Sequence, residues 1–384
     1  MPVRRWLPPT LVFLSSAATS ALAQQSQSSA FVDLKSELSA TLEDCSRKRR
    51  AAVDTRPPHI TKFPAADTYY PQSDQSQGYQ GIVLVEFMVD AAGNPRFAHA
   101  ARVLSNSGQG DFASAAVDYV HDSRFAAGEV AGVPTSAWWQ LKVKFTLGLN
   151  PMGNLLTEDK LRQTMKAAAQ GDLKAIETVS YLHSIAASEV ALTTTEEFNY
   201  LAESAQNGER SAALRVAQLL SASACVKPPR VQEMLKTQAM QGYSAAEMVL
   251  AGQLMEANDP ATYDEIAPLL HGAANSVDPF VALWATGLLA TAPVDALRDP
   301  AAALTHASQF KDSDPDTRET LAAIQAANGH FDQAIKLEQA AISKASSWRW
   351  KLDELQKRLA TYQSGKPWTG YLCDCQQLVP GEGI

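Results

Sequence analysis

The chain has 384 residues, 46% of them hydrophobic, and a formal charge of −8 from 33 basic and 41 acidic side chains. This amount of apolar material suits two globular domains, because domains usually contain about 100–200 residues. The acidic balance argues against a nucleic-acid-binding protein, which needs a strong basic patch that this sequence lacks.

The first 23 residues are typical of an export signal. Two arginines precede a mostly apolar run, Leu11 to Leu22, that ends in Ala21-Leu22-Ala23, the small-x-small pattern that signal peptidase cuts. A spanning helix needs about 20 apolar residues, and this run is shorter and contains hydroxyl side chains. We therefore predict a signal peptide over 1–23 and a soluble periplasmic protein without a membrane anchor; the alternative is an uncleaved anchor.

Cysteine usage agrees with export. The four cysteines are Cys45, Cys225, Cys373 and Cys375. In an oxidising compartment an even number favours disulfides, and three pairings remain open. Cys373 and Cys375 could instead form a redox pair or half of a metal site, although no histidine lies near them in the sequence.

Net charge and residue pattern divide the remaining chain into two parts. Residues 24–150 have a balance of −1 and read as strands with Gly and Pro turns, whereas residues 151–384 have a balance of −9 and show Ala-rich helical patterns. The predicted organisation is an N-terminal helix (31–53) and an extended Pro-containing linker within 24–66, a small sheet domain at 67–149, helical repeats at 150–368, and a Cys-containing tail at 369–384.

The sheet domain follows the order β-β-α-β. The run Ile82–Val89 is apolar on nearly both faces, a turn leads to a return strand over Phe97–Leu104, and a short helix carries Phe112 and Tyr119 on one face. The last strand, Trp138–Leu147, alternates apolar and polar side chains. This pattern predicts an α+β fold with a three-stranded antiparallel sheet that has one buried and one solvated face.

An ordered set of short motifs carries a family resemblance. In chain order they are Tyr70-Pro71, Gly81 before a hydrophobic strand, Asp90…Gly93, Ser105…Ser107-Gly108, Ala115-Ala116, Arg124-Phe125, Gly132-Val133-Pro134 and Lys144-Phe145. Over about 80 residues this series resembles the TonB C-terminal domain. The chain departs from the family pattern at Ala113, where an Asp is usual, and at Ala126, where a Pro is usual.

The resemblance implies a periplasmic domain that binds extended segments of outer-membrane transporters along a sheet edge. An edge strand offers unpaired N–H and C=O groups that a partner strand can satisfy. We predict Trp138–Leu147 as this edge, with Tyr70-Pro71 as its neighbour. The predicted partner-binding residues are Tyr70, Pro71, Trp138, Gln140, Lys142 and Lys144. The alternative is that Trp138 only packs and that the two lysines protect the edge from aggregation.

The helical half contains an internal repeat. The segments Ala205–Gly208, Ala239–Gly242 and Ala273–Ser276 recur at intervals of 34 residues, the period of helix–turn–helix solenoids. We expect about five helical pairs in which Gly ends the first helix in a left-handed turn. The last unit resembles a tetratricopeptide repeat whose usual aromatic anchors are replaced by Arg318, Gln325 and Glu338. Such arrays usually bind proteins, and the alternative is a spacer.

No sequence motif indicates catalysis. None of the seven histidines belongs to an H-E-x-x-H motif, and the chain has no G-x-S-x-G elbow and no phosphate-binding Gly-rich loop. We predict no enzyme activity, no cofactor and no metal. The predicted function is that of a transport-linked adaptor. Its sheet domain would capture an envelope protein, such as an outer-membrane transporter, and its repeats would bind a second protein. Alternatives are a peptidoglycan-binding module, or a hydrolase or thiol-redox enzyme with a distributed site. The oligomeric state is left open.

Overall fold

The computed structural model describes residues 55–106, 111–147, 158–185, 194–206, 210–222, 228–311 and 314–372. The predicted signal segment, the predicted helix at 31–53 and all four cysteines lie outside these residues. The predictions of a signal peptide and of disulfides therefore stay predictions.

A three-stranded antiparallel sheet forms the centre of the N-terminal domain. The strands in chain order are β1 (Thr55–Arg56), β2 (His59–Lys62), β3 (Gly81–Val89), β4 (Pro95–Ser105), β5 (Arg124–Ala126), β6 (Gly128–Val130), β7 (Val133–Thr135) and β8 (Ala137–Phe145). The central sheet has three antiparallel strands, as the sequence predicts, and their order is β4-β3-β8. The short strands form two smaller antiparallel pairings, β1-β6-β7 and β2-β5.

One face of the sheet is covered by a helix of the same domain. The first two helices are α1 (Gln72–Ser76) and α2 (Phe112–Asp122). The odd-numbered residues of β3 pack against the apolar face of α2, where Phe112 and Val120 are fully buried. This core shows the expected geometry, because side chains in a strand alternate between its two faces and those in a helix recur every three to four residues.

The second half of the chain is a helical array. Its helices in chain order are α3 (Glu158–Ala169), α4 (Leu173–Ile185), α5 (Thr194–Gln206), α6 (Arg210–Ala222), α7 (Pro228–Met240), α8 (Ser244–Ala257), α9 (Tyr263–Ala274), α10 (Pro279–Thr291), α11 (Pro300–Ala307), α12 (Pro315–Ala327), α13 (Phe331–Ser347) and α14 (Asp353–Gln363). The molecule thus has the α+β sheet region and the helical solenoid that the sequence predicts. No helix in the described part of the chain is both long and apolar enough to span a bilayer.

The repeat pattern explains how successive helices turn. Helices α5, α7 and α9 begin at Thr194, Pro228 and Tyr263, which gives spacings of 34 and 35 residues. Gly171 and Gly242, the glycines of two A-x-x-G segments, have φ of 85° and 71°. This left-handed conformation is accessible to glycine with little penalty, and it ends one helix so that the next can pack against it.

The helical array covers the other face of the sheet, which corrects the expectation of a solvated face. At one end, Ile82 and Leu84 of β3 pack against Ile185 of α4. At the other end, a cluster formed by Met88, Phe97 and Trp138 packs against Phe280 and Trp284 of α10. The apolar character of Ile82–Val89 on both faces therefore reflects burial on both faces.

Candidate functional site

Strand β8 is a long and regular edge of the central sheet. Its nine residues pair with β3 without a register shift, from Gly81 opposite Phe145 to Val89 opposite Ala137. Among the described strands β8 pairs with β3 alone. A flat and regular edge of this length is the geometry that strand addition requires, because a guest strand must match successive main-chain groups.

The hydrogen bonds beside β3 show which β8 residues direct their backbone groups away from the sheet. The amide of Asn106 donates to Gln80 O (3.2 Å) and that of Asp90 donates to Asn94 O (3.0 Å), both on the β4 side of β3. Even-numbered residues of β3 therefore face β4, and odd-numbered residues face β8. Odd residues of β3 lie opposite odd residues of β8, so the odd residues of β8 direct their N–H and C=O groups to β3. The even residues of β8 direct their N–H and C=O groups away from the sheet. These are Trp138, Gln140, Lys142 and Lys144, the predicted partner-binding residues of this strand.

The side chains of these four residues have different surroundings. Trp138 is 7% exposed, and its ring lies 5.2 Å from that of Phe280 and 5.4 Å from that of Trp284. Gln140 Nε2 donates a hydrogen bond to Glu86 Oε1 (2.6 Å). Lys142 is half-buried and Lys144 is exposed. The Trp138 side chain thus holds the sheet on the array, and only its backbone faces outward along the edge.

Tyr70 and Pro71 lie near the C-terminal end of β8. The Tyr70 ring packs edge-on against Phe145 of β8 and Phe112 of α2, with centroid separations of 5.7 and 5.9 Å. Its hydroxyl donates to the carbonyl of Tyr79, and burial raises the pKa of this hydroxyl. Pro71 caps the N-terminus of α1. The structure therefore brings Tyr70 next to the predicted edge, where its ring supports the end of the strand.

The opposite edge of the sheet, β4, differs from β8. Its pairing with β3 contains two register shifts, and Phe97 has a positive φ of 54°. The array also occupies backbone groups of β4, because Tyr181 Oη donates to Val103 O (2.6 Å) and the Phe97 amide donates to Asp316 Oδ2 (2.7 Å). Bulges and covered groups are features that block strand addition. Of the two edges, β8 is therefore the one suited to a guest.

A buried ionic cluster joins the sheet to the array. Arg96 of β4 forms ion pairs with Asp316 and Glu319 of α12, and Arg358 of α14 pairs with Glu319. All four side chains are at most 5% exposed. Burial alone would lower the pKa of Arg96, but Asp316 and Glu319 more than offset it and the pKa is raised. The cluster holds the guanidinium firmly in its charged form.

A third carboxyl completes this ionic cluster. Glu338 of α13 is fully buried, and its Oε1 lies 4.0 Å from Arg358 Nε. Neither of its carboxyl oxygens has a hydrogen-bond partner in the described part of the chain. Burial, together with the charge of Glu319, raises the pKa of Glu338 to about 9. Burial raises the pKa of Asp316 as well, to about 7, although the charge of Arg96 acts in the opposite direction.

Sequence reasoning missed this junction because its members are far apart in the chain. Arg96 and Glu319 are separated by 223 residues. One signal was present in the sequence: Glu338 occupies an anchor position that is usually aromatic in the resembled repeat, and a charged residue at such a position indicates a buried polar cluster. The described residues contain no group of three or more His, Cys, Asp or Glu side chains that could hold a metal ion.

Comparison with known proteins identifies the sheet domain. A family model described as Gram-negative bacterial TonB protein C-terminal matches residues 66–147, close to the predicted limits of 67–149. No curated protein and no solved structure matches the chain. Residues 66–147 therefore form a domain of the TonB C-terminal type, a domain of the Gram-negative bacterial envelope. The helical region that follows is consistent with repeats.

Proposed function

We propose that this protein is a non-catalytic adaptor of the periplasm, in which the β8 edge captures an extended segment of another envelope protein. The TonB C-terminal domain supports an outer-membrane transporter as the class of partner. The segment would add as a fourth strand beside β8, and its main-chain groups would bond to the outward groups of the even-numbered residues.

The contrast between the two sheet edges carries this proposal. Strand β8 is unbroken over nine residues, whereas β4 is bulged twice and bonded to helices of the array. In an adaptor, the array would hold the sheet in a fixed orientation and bind a second protein on the faces that do not contact the sheet. The balance of −9 in residues 151–384 favours a basic surface on that second protein.

A proline in β8 tests the proposal. Gln140→Pro removes an outward N–H but no ladder bond to β3, because the amides of the odd-numbered neighbours face β3. Gln140→Thr is the matched control, since both variants lack the glutamine side chain with its bond to Glu86, and Thr suits a strand. We expect the tagged full-length Pro variant, exported in its own bacterium, to recover an envelope protein about tenfold less well than the Thr variant.

The proposal requires that the Pro variant recover less of the envelope protein than the Thr variant does. Capture of a protein by one variant does not by itself support strand addition. Circular dichroism and the unfolding midpoint should be the same for the two variants, which shows that the proline has not unfolded the sheet. Equal recovery of the same proteins by the Pro and Thr variants would contradict strand addition at β8. Recovery of cytoplasmic proteins alone would contradict the envelope partner.

A further inference from the structure

His121 is a buried histidine at the contact between the two halves of the molecule. It lies in the last turn of α2 and is 4% exposed. Its ring stacks on Trp348, with centroids 3.8 Å apart and planes inclined by 21°, and it meets Trp350 edge-on at 6.1 Å. Both tryptophans belong to the segment Trp348–Lys351 between α13 and α14, which we call the tryptophan loop.

The tryptophan loop also holds the turn between β3 and β4. Lys351 N donates to Asn94 Oδ1 (2.9 Å), and Asn94 Nδ2 donates to Lys351 O (3.2 Å). The guanidinium of Arg96 lies 5.6 Å from the centroid of the Trp350 ring. The stacking of His121, the Asn94–Lys351 bonds and the Arg96 contact therefore form one continuous junction.

The surroundings of His121 compensate a charged imidazole only in part. His121 Nδ1 is buried and has no hydrogen-bond partner among the residues described. Burial lowers the pKa of His121 to about 4, while Asp314 and Asp122 act in the opposite direction and Lys344 adds to the lowering. Two further charged groups are nearby: Asp118, which interacts with Lys344, and the exposed Arg349 between the two tryptophans.

We propose that His121 is an acid-sensitive latch: the tryptophan loop stays docked on α2 only while the imidazole is neutral, and protonation releases the loop. A solvated histidine titrates near 6.5 and the docked one near 4. Between these two values the released state binds more protons, so docking is fully favourable above pH 6.5 and is progressively lost as the pH falls towards 4. We expect the release to be local, because the contacts of Trp138 with α10 and of Ile82 with α4 join the sheet to the array at residues other than His121.

Amide hydrogen exchange of the full-length protein reports this release directly. The Lys351 amide is bonded across the junction to Asn94, whereas the amides of β3 are bonded within the central sheet. We expect the protection factor of Lys351 to fall by up to about tenfold per pH unit between pH 6.5 and 4.5. Protection of the β3 amides should persist over the same range.

Two histidine variants separate the latch from general acid effects. His121→Phe keeps an aromatic ring on Trp348 but cannot be protonated, and Lys351 should then stay protected at pH 4.5. His330→Phe, which changes an exposed histidine at the start of α13, should behave as the wild type. Equal loss of Lys351 protection in the wild type and in His121→Phe would overturn the proposal.

The wild-type protein provides a test that needs no folded variant. The C2–H resonance of His121, followed by NMR with selectively labelled histidine, should titrate well below 6.5, the ordinary pKa of a histidine side chain. Titration of the His121 signal near 6.5 without any change in Lys351 exchange would also overturn the latch. Simultaneous loss of protection at Lys351 and along β3 would show global acid unfolding and would contradict a local release.

Discussion

Replacing Arg96 by methionine is expected to destabilise the protein by about 3–5 kcal/mol. The guanidinium is the cross-domain partner of Asp316 and Glu319, and all three side chains are nearly fully buried. Removal of one member of a buried ion pair leaves uncompensated charge in a medium of low dielectric constant, which is among the most destabilising single changes. Urea unfolding of the full-length protein, followed by intrinsic fluorescence, measures this loss.

Arg56 provides the matched control for this substitution. Its side chain is 74% exposed and lies 3.4 Å from Glu129 in a surface ion pair. Arg56→Met should change stability by less than about 1 kcal/mol, because exposed pairs contribute little. Similar losses for the two substitutions would show that the buried cluster does not hold the sheet on the array.

Truncation of Trp138 to alanine is expected to destabilise the protein by about 3–5 kcal/mol. The indole fills the space between Met88 of β3 and the aromatic pair Phe280 and Trp284 of α10, so its removal leaves a cavity at the junction. The Trp138→Phe variant, which retains an aromatic ring, should lose less than half of this amount. Thermal unfolding of the three proteins checks the order.

The Trp138 result also distinguishes two roles for this residue. If Trp138 holds the sheet on the array, the loss of stability occurs in the isolated protein without any partner. An unfolding free energy unchanged by Trp138→Ala would mean that the indole does not pack as described. It would then be free to contact a captured segment, as the sequence alone allowed.

The sequence was sufficient to predict the fold class because the patterns that define it are local. The alternation in β8 and the periodicity of α2 each lie within about ten residues, and the A-x-x-G segments mark the helix ends wherever the structure describes them. Local periodicity determines which residues form each element and which of its faces is apolar.

The sequence was insufficient to predict how the sheet domain packs against the helical array. The polar face of β8 indicated solvent, but Trp138 on that face packs against Phe280 and Trp284 of α10. The short strands β1 and β2 contain only two and four residues, too few for a periodic signal. Contacts of this kind depend on residues that are distant in the chain, and a single sequence contains no direct record of such pairings.

Hydrogen exchange along β8, measured with and without the captured partner segment, tests the central proposal most directly. We predict that the amides of Trp138 and Gln140 become strongly protected in the complex, because they point away from β3 and would bond to the added strand. The amides of β4 should exchange at unchanged rates. Unchanged exchange along β8, or new protection on β4 instead, would contradict capture at the β8 edge.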